Sequence, residues 1–327
     1  MAAGGFLLGF VLLWCCFYLF YKGFPYVRPG ADQVTEFKLR LVREGHPFSS
    51  GHKRLRMMAF GDSKTLAGFV PDVFERTMAL EGIAVESYNL GLPGDVKYVS
   101  RLETLIARGE APDVALLSFA WPDTDEAKPD AFHFIADDDV VMTRIFPFRR
   151  LPRDLFVFAG LARARGGALA FYREAESILR QVETDRGYYF ISGQSHYPGD
   201  RLPDDYKDAD DTPALAEVRH AATNTETFRR LSRELADHHI RCVFTPRYFR
   251  EGQRAPVPDS NTALAATLKG SATFTQAGPD YYLYPNRYFS DTAHLNREGA
   301  AIYTRQLGEL MAGWLRENGK QSDGHAF

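Results

Sequence analysis

The sequence predicts an α/β protein built on a central parallel sheet. Two observations predict it: short apolar runs of strand length recur along the chain, and segments of helical period lie between them. A third supports it, since the pattern closes on one long amphipathic helix.

Residues 55–60, 85–90, 114–119 and 241–245 are the expected strands, each short and apolar enough to be buried inside a sheet. Between them, Val99, Leu102, Leu105 and Ile106 share one helical face, as do Phe228, Leu231 and Leu235. Near the end, Asn296 can cap a helix whose stripe is Ala300, Tyr303, Leu307, Leu310, Met311 and Trp314, opposite Arg305, Gln306 and Glu309.

The segment at 124–223 breaks this alternation and is rich in Asp, Arg, Pro and aromatic residues, so it reads as an insertion or cap. The expected organisation is therefore an anchor at 1–22, a polar neck at 23–53, a sheet domain at 54–123 and 224–316, the insertion, and a tail at 317–327. Acidic stretches at 137–139 and 204–211 lack the spacing of a calcium loop and read as solvated surface. No metal site and no cofactor is expected, and three cysteines, two of them adjacent at Cys15 and Cys16, set no disulfide framework.

A chain of 327 residues that is 45% hydrophobic can bury a sizeable core, and a net charge of −3 offers no basic face for nucleic acid. From Ala2 to Tyr21 no side chain is charged, a length suited to a membrane-spanning helix. The small-residue cleavage site of a signal peptide is missing. Lys22 and Arg28 follow the apolar run, which by charge alone would keep that side cytoplasmic.

Two short motifs carry chemistry. Phe60-Gly61-Asp62-Ser63 ends the first expected strand, where the carboxyl edge of an open α/β sheet places ligands. Asp291-Thr292-Ala293-His294 precedes the closing helix. A serine hydroxyl needs an imidazole to take its proton and an acid to orient that imidazole, and Asp291 and His294 supply both from one loop.

In this order the motifs resemble those of the SGNH/GDSL superfamily. Gly61-Asp62-Ser63 is similar to the first block, Asn89-Leu90-Gly91 to the second, and Asp291 to His294 with the following Leu295-Asn296-Arg297-Glu298-Gly299-Ala300 to the last. The resemblance implies a three-layer sandwich with Ser63 as nucleophile, His294 as base and Asp291 as its orienter. It also implies an oxyanion hole of the Ser63 and Gly91 backbone N–H groups, with Gly94 in the same loop as the alternative to Gly91. The third block departs from the family's Gly-x-Asn-Asp: here Ser118-Phe119-Ala120-Trp121-Pro122-Asp123 carries no asparagine. Either Ser118 donates in its place or backbone alone completes the hole.

With an N-terminal anchor, the chain resembles extracytoplasmic polysaccharide O-acyltransferases of the alginate O-acetyltransferase kind. The resemblance implies a single-pass protein of the inner membrane with a periplasmic catalytic domain and a polysaccharide acceptor. The acyl donor would come from a membrane-bound O-acyltransferase. An esterase with the same residues, or a non-catalytic polymer-binding subunit, are the competing expectations. Two further features of the insertion and its surroundings suit a ligand or a membrane surface. Ile145, Phe146, Phe148, Leu151, Leu155, Phe156, Val157 and Phe158 interleave with Arg144, Arg149, Arg150 and Arg153, and Tyr188, Tyr189, Tyr197, Tyr281, Tyr282 and Tyr284 could stack on sugars.

Overall fold

The computed structural model describes residues 2–23, 30–45, 47–49, 54–93, 98–118, 151–190, 197–207, 226–251, 271, 273–279 and 281–319. The chain divides into two compact units, one of Met1–Phe37 with Glu126–Arg180, the other of Lys38–Asp125 with Gln181–Phe327.

The larger unit is the α/β body. Its strands are β1 (Leu55–Gly61), β2 (Val85–Gly91), β3 (Val114–Leu117) and β4 (Arg241–Phe244), within one or two residues of the expected runs. Between and after them come four helices that the sheet chain supplies. These are α3 (Ser63–Gly68), α4 (Pro71–Leu80), α5 (Tyr98–Ala107) and, following the insertion helices, α8 (Glu226–Asp237). After β4 come β5 (Arg247–Arg250), β6 (Phe274–Gln276) and β7 (Tyr281–Tyr284), and α9 (Arg297–Gly319) closes the chain. The five-stranded sheet has the order β2-β1-β3-β4-β6 with every pair parallel; β5 and β7 form a separate parallel pair.

Side chains alternate across the sheet with period two, which makes two cores. Met58, Phe60, Tyr88, Leu90, Ala115, Leu117, Cys242 and Phe244 pack under α5 and α8 through Leu102, Leu105, Leu231 and Leu235. On the other face Met57, Ala59, Val114, Leu116 and Val243 meet Phe74 and Met78 of α4 and the Tyr303, Leu307, Met311 stripe of α9. Helices thus cover both faces of the sheet. Each buried aliphatic or aromatic side chain here is worth roughly 1.5–3 kcal/mol relative to exposure, which is why the apolar periods located the elements.

Two expected boundaries shift. The neck at 23–53 instead contains helix α2 (Gly30–Arg43), and Val42 and Phe48 pack into the sheet core. Lys38, Leu41 and Val42 recur at helical spacing among polar residues, so the stretch buries a face that its polar composition concealed. The insertion also ends early: Tyr188, Phe190 and Leu202 belong to the core beside α9. Their apolar area favours joining the sheet body, and backbone bonds from Asn89 N to Arg186 O and from Tyr189 N to Leu66 O hold them there.

The smaller unit contains α1 (Ala2–Gly23), α6 (Leu151–Ala164) and most of α7 (Ala168–Thr184). Phe158 packs on Phe171 and Tyr172 at ring separations of 5.2 and 5.5 Å. Phe6, Leu7, Leu8, Phe10 and Leu19 of α1 are exposed. Among the described residues no helix is long and apolar enough to cross a membrane. The side chains of α1 are described from residue 4 to residue 20.

Candidate active site

The site lies where the sheet order reverses, with β2 on one side of β1 and β3 on the other. At such a switch point the connections after adjacent strands diverge and leave a crevice at their carboxyl ends. β1 ends there in Gly61, and Asp62 caps α3 by accepting from Lys64 N at 2.9 Å. Ser63 is the first helical residue. A Cβ on Gly61 would collide with the Thr65 and Ser118 hydroxyls, so a glycine here lets those two side chains pack against the turn.

Ser63 Oγ is 2.8 Å from His294 Nε2. His294 Nδ1 is 2.8 Å from Asp291 Oδ2 and 3.0 Å from Oδ1. All three side chains are part-buried. Asp291 Oδ1 also accepts from the Ala293 and His294 backbone N–H groups at 2.8 and 2.7 Å. Burial pushes the Asp291 carboxyl up, but the His294 hydrogen bond and charge and the two backbone bonds outweigh it and hold the group below its ordinary value.

The loop carrying this pair is closed by a bridge between Phe289 and Leu295, with Ser290 N donating to His294 O at 2.9 Å. Asn296 caps α9 as its sequence position implies, accepting from Gly299 N at 2.9 Å and donating to Arg287 O at 2.7 Å. Arg250, fully buried, donates from Nε to Thr292 O at 3.1 Å, inside the Asp291 to His294 loop. Its Nη1 reaches Asn286 Oδ1 at 3.4 Å, and Asn286 Nδ2 donates to the carbonyls of Asp204 and Tyr206.

The expected oxyanion donors separate. The Ser63 N–H opens α3, where first-turn amides have no intrahelical acceptor. Gly91 N–H donates instead to Asn89 Oδ1 at 2.8 Å within the buried interior, so it does not serve as a donor to the site. Gly91 is required for another reason: a Cβ there would strike the backbone of Thr65 and Leu66. Gly94 lies outside the described residues, as do positions 119–123. Ser118 Oγ donates to Phe60 O at 3.3 Å and sits 2.5 Å from Thr65 Oγ1, turned in behind Gly61. Beside them lies a cavity about one water molecule in size, lined by Lys64, Thr65, Ser118, Arg247, Tyr248 and Tyr303.

Four residues with no role assigned from sequence shape the site. Asn89 Nδ2 donates to the carbonyls of Thr65, Leu66 and Phe69 at 2.8, 3.2 and 2.7 Å, tying β2 to the helix that Ser63 opens. Lys38 reaches Gly91 O, Arg250 grips Thr292, and Arg247 Nη2 pairs with Asp62 Oδ2 at 3.3 Å. A lysine on an otherwise apolar helical face was the one signal for Lys38. Arg250 gave none, since a strand arginine is ordinarily an exposed one.

The tyrosines also divide, with Tyr188 and Tyr284 buried in the core and Tyr189, Tyr197, Tyr281 and Tyr282 part-exposed. Of the arginine-interleaved apolar stretch, Leu155 and Phe156 are exposed on α6, Asp154 is buried, and positions 144–150 lie outside the described residues. Cys242 is buried and its thiol is pushed up by burial, which removes it as a competing nucleophile. Comparisons with protein-family models, with curated proteins and with solved structures find no match.

Proposed function

We propose that the chain is an SGNH-type serine acyltransferase that moves an acyl group, acetyl in the simplest case, onto hydroxyls of an extracytoplasmic polysaccharide. The observation that carries this is the unbroken chain of hydrogen bonds from Ser63 Oγ through His294 to Asp291 at the sheet's carboxyl edge. In the first half-reaction His294 Nε2 takes the Ser63 proton while Oγ bonds to the acyl carbonyl carbon, and the oxyanion is met by the Ser63 N–H. Collapse breaks the bond to the donor oxygen, which leaves with the proton from His294. An acceptor hydroxyl then gives its proton to His294 and attacks the acyl-serine, and Ser63 departs with that proton. Asp291 holds His294 in the tautomer with Nδ1 protonated throughout.

The exposed apolar side chains of α1 support attachment at a membrane, with the catalytic unit periplasmic and the acyl donor supplied by a membrane-bound O-acyltransferase. A reporter fused after Phe327 that is active only in the cytoplasm would overturn that placement.

Hydrolysis is the second reading, favoured by the part-exposure of His294 and Asp291, which gives water a path to the acyl-enzyme. p-Nitrophenyl acetate separates the two. A transferase acetylates Ser63, releases acetate slowly, and accelerates with ester on the sugar when an acceptor oligosaccharide is added. Fast release that every acceptor leaves unchanged identifies an esterase. Absence of any Ser63 adduct leaves a polymer-binding role.

A further inference from the structure

Lys38 is fully buried, and among the described residues the partners of its ammonium position are two uncharged oxygens, Gly91 O at 2.6 Å and Asn89 Oδ1 at 3.4 Å. Burying a lysine against neutral acceptors costs several kcal/mol when it is charged, and a methionine would fill the same space without that cost. Burial holds the amine well below its ordinary value. Fold stability alone gives no reason for a lysine at this position.

The peptide that Lys38 grips leads directly to the nucleophile. The carbonyl of the Gly91–Leu92 peptide accepts from Lys38, and its N–H, on Leu92, donates to Gly61 O at 2.8 Å, two residues before Ser63. The same Lys38 nitrogen faces the Asn89 amide, whose Nδ2 holds three carbonyls of the Ser63 helix segment. There is little slack between these parts, since Gly91 packs against the backbone of Thr65 and Leu66.

We propose that Lys38 is a positioning residue of the Ser63 site. It acts through the Gly91–Leu92 peptide and the Asn89 amide to set where Ser63 Oγ stands relative to His294. The proposal rests on Ser63 being the nucleophile. Removing the amine leaves Gly91 O without its donor, frees the Leu92 peptide to rotate, and lets the Gly61 turn drift. A shift of under an ångström at the nucleophile costs rate, while the sheet and its two cores stay intact.

The test uses the full-length chain and its Lys38→Met and Lys38→Gln variants. Hydrogen exchange reports the Leu92 amide and the amides of α3 against those of β1 and β3, and a fluorophosphonate probe reports the labelling rate of Ser63. In Lys38→Met, Leu92 and α3 are expected to lose protection while β1 and β3 keep theirs. Ser63 labelling should slow about tenfold or more, with probe saturation unchanged. Lys38→Gln retains a donor and should recover part of both; it also carries the comparison if Lys38→Met does not fold. Equal labelling rates in wild type and folded variants would overturn the role of Lys38 and leave Ser63 standing. A wild-type chain that takes no label at Ser63 would overturn both.

Discussion

His294 Nε2 stands 2.8 Å from Ser63 Oγ although the two residues are 231 positions apart. One hangs from the loop before the closing helix, the other from the turn after the first sheet strand. Their meeting depends on α9 packing against α3 and α4, because that packing brings the Asp291 to His294 loop over the carboxyl end of β1.

Ser63→Ala should abolish acyl-enzyme formation and leave the fold unchanged. The hydroxyl makes one described hydrogen bond, to His294, so its loss costs no more than about 1.5 kcal/mol. Mass spectrometry after p-nitrophenyl acetate and a thermal melt check the two halves of this outcome.

Asp291→Asn should cut turnover by roughly 10³–10⁴, as the orienter of Nδ1 is lost. The folded carboxyl lies below its unfolded value of 3.8, so its stabilisation is present above that value and lost as pH falls through the folded one. Urea melts should show wild type more stable than Asp291→Asn at neutral pH, with the gap closing once the pH falls below about 3.8.

Asn89→Leu strands the buried Phe69 carbonyl and the N–H of Gly91, while the carbonyls of Thr65 and Leu66 lose one donor and keep Phe69 N and Tyr189 N. At about 1–3 kcal/mol for each of the two groups left unsatisfied, the loss should be about 2–6 kcal/mol. A denaturant midpoint that hardly moves would show that Asn89 does not tie β2 to α3.

Lys38 carries its own pH signature. Its folded value is depressed, so below the unfolded value of 10.5 the unfolded chain holds a proton that the folded chain resists. Stability of wild type relative to Lys38→Met should therefore rise as pH climbs from the depressed folded value toward 10.5 and level off above it. Chemical melts at stepped alkaline pH give the slope; a flat difference means that Lys38 stays charged in the fold.

Arg250→Met should loosen the Asp291 to His294 loop by freeing Thr292 O. Turnover is expected to fall by about one to two orders of magnitude while the KM for a small ester stays near wild type, since Arg250 is fully buried and acts through Thr292 O. Loss of binding with turnover retained would place Arg250 at the substrate.

Four sheet strands, the helices α5, α8 and α9 and the Asn296 cap were legible because each is a local pattern: a short apolar run, period 3.6, and a side chain that accepts from an amide three residues on. Strands β5, β6 and β7 were missed, β5 because Arg247–Arg250 is four residues long with an arginine at each end. Phe274–Gln276 is three residues long and Tyr281–Tyr284 mixes exposed and buried tyrosines, so neither carries a periodic signal. Of the site, Ser63, His294 and Asp291 were legible as motifs, and the roles of Lys38, Asn89 and Arg250 were not.

The sequence by itself determined four of the sheet strands, three of the helices that cover them and the residue types gathered at Ser63, because burial pattern and side-chain chemistry are properties of short segments. Only the tertiary structure decided that Ser63 and His294 touch, that Gly91 N–H turns inward to Asn89, and that a buried lysine reaches the peptide bonded to the Gly61 turn. The direction of a backbone amide and the burial of a charge depend on groups brought together from distant positions. Those partners exist only once the sheet has assembled and both of its faces are covered.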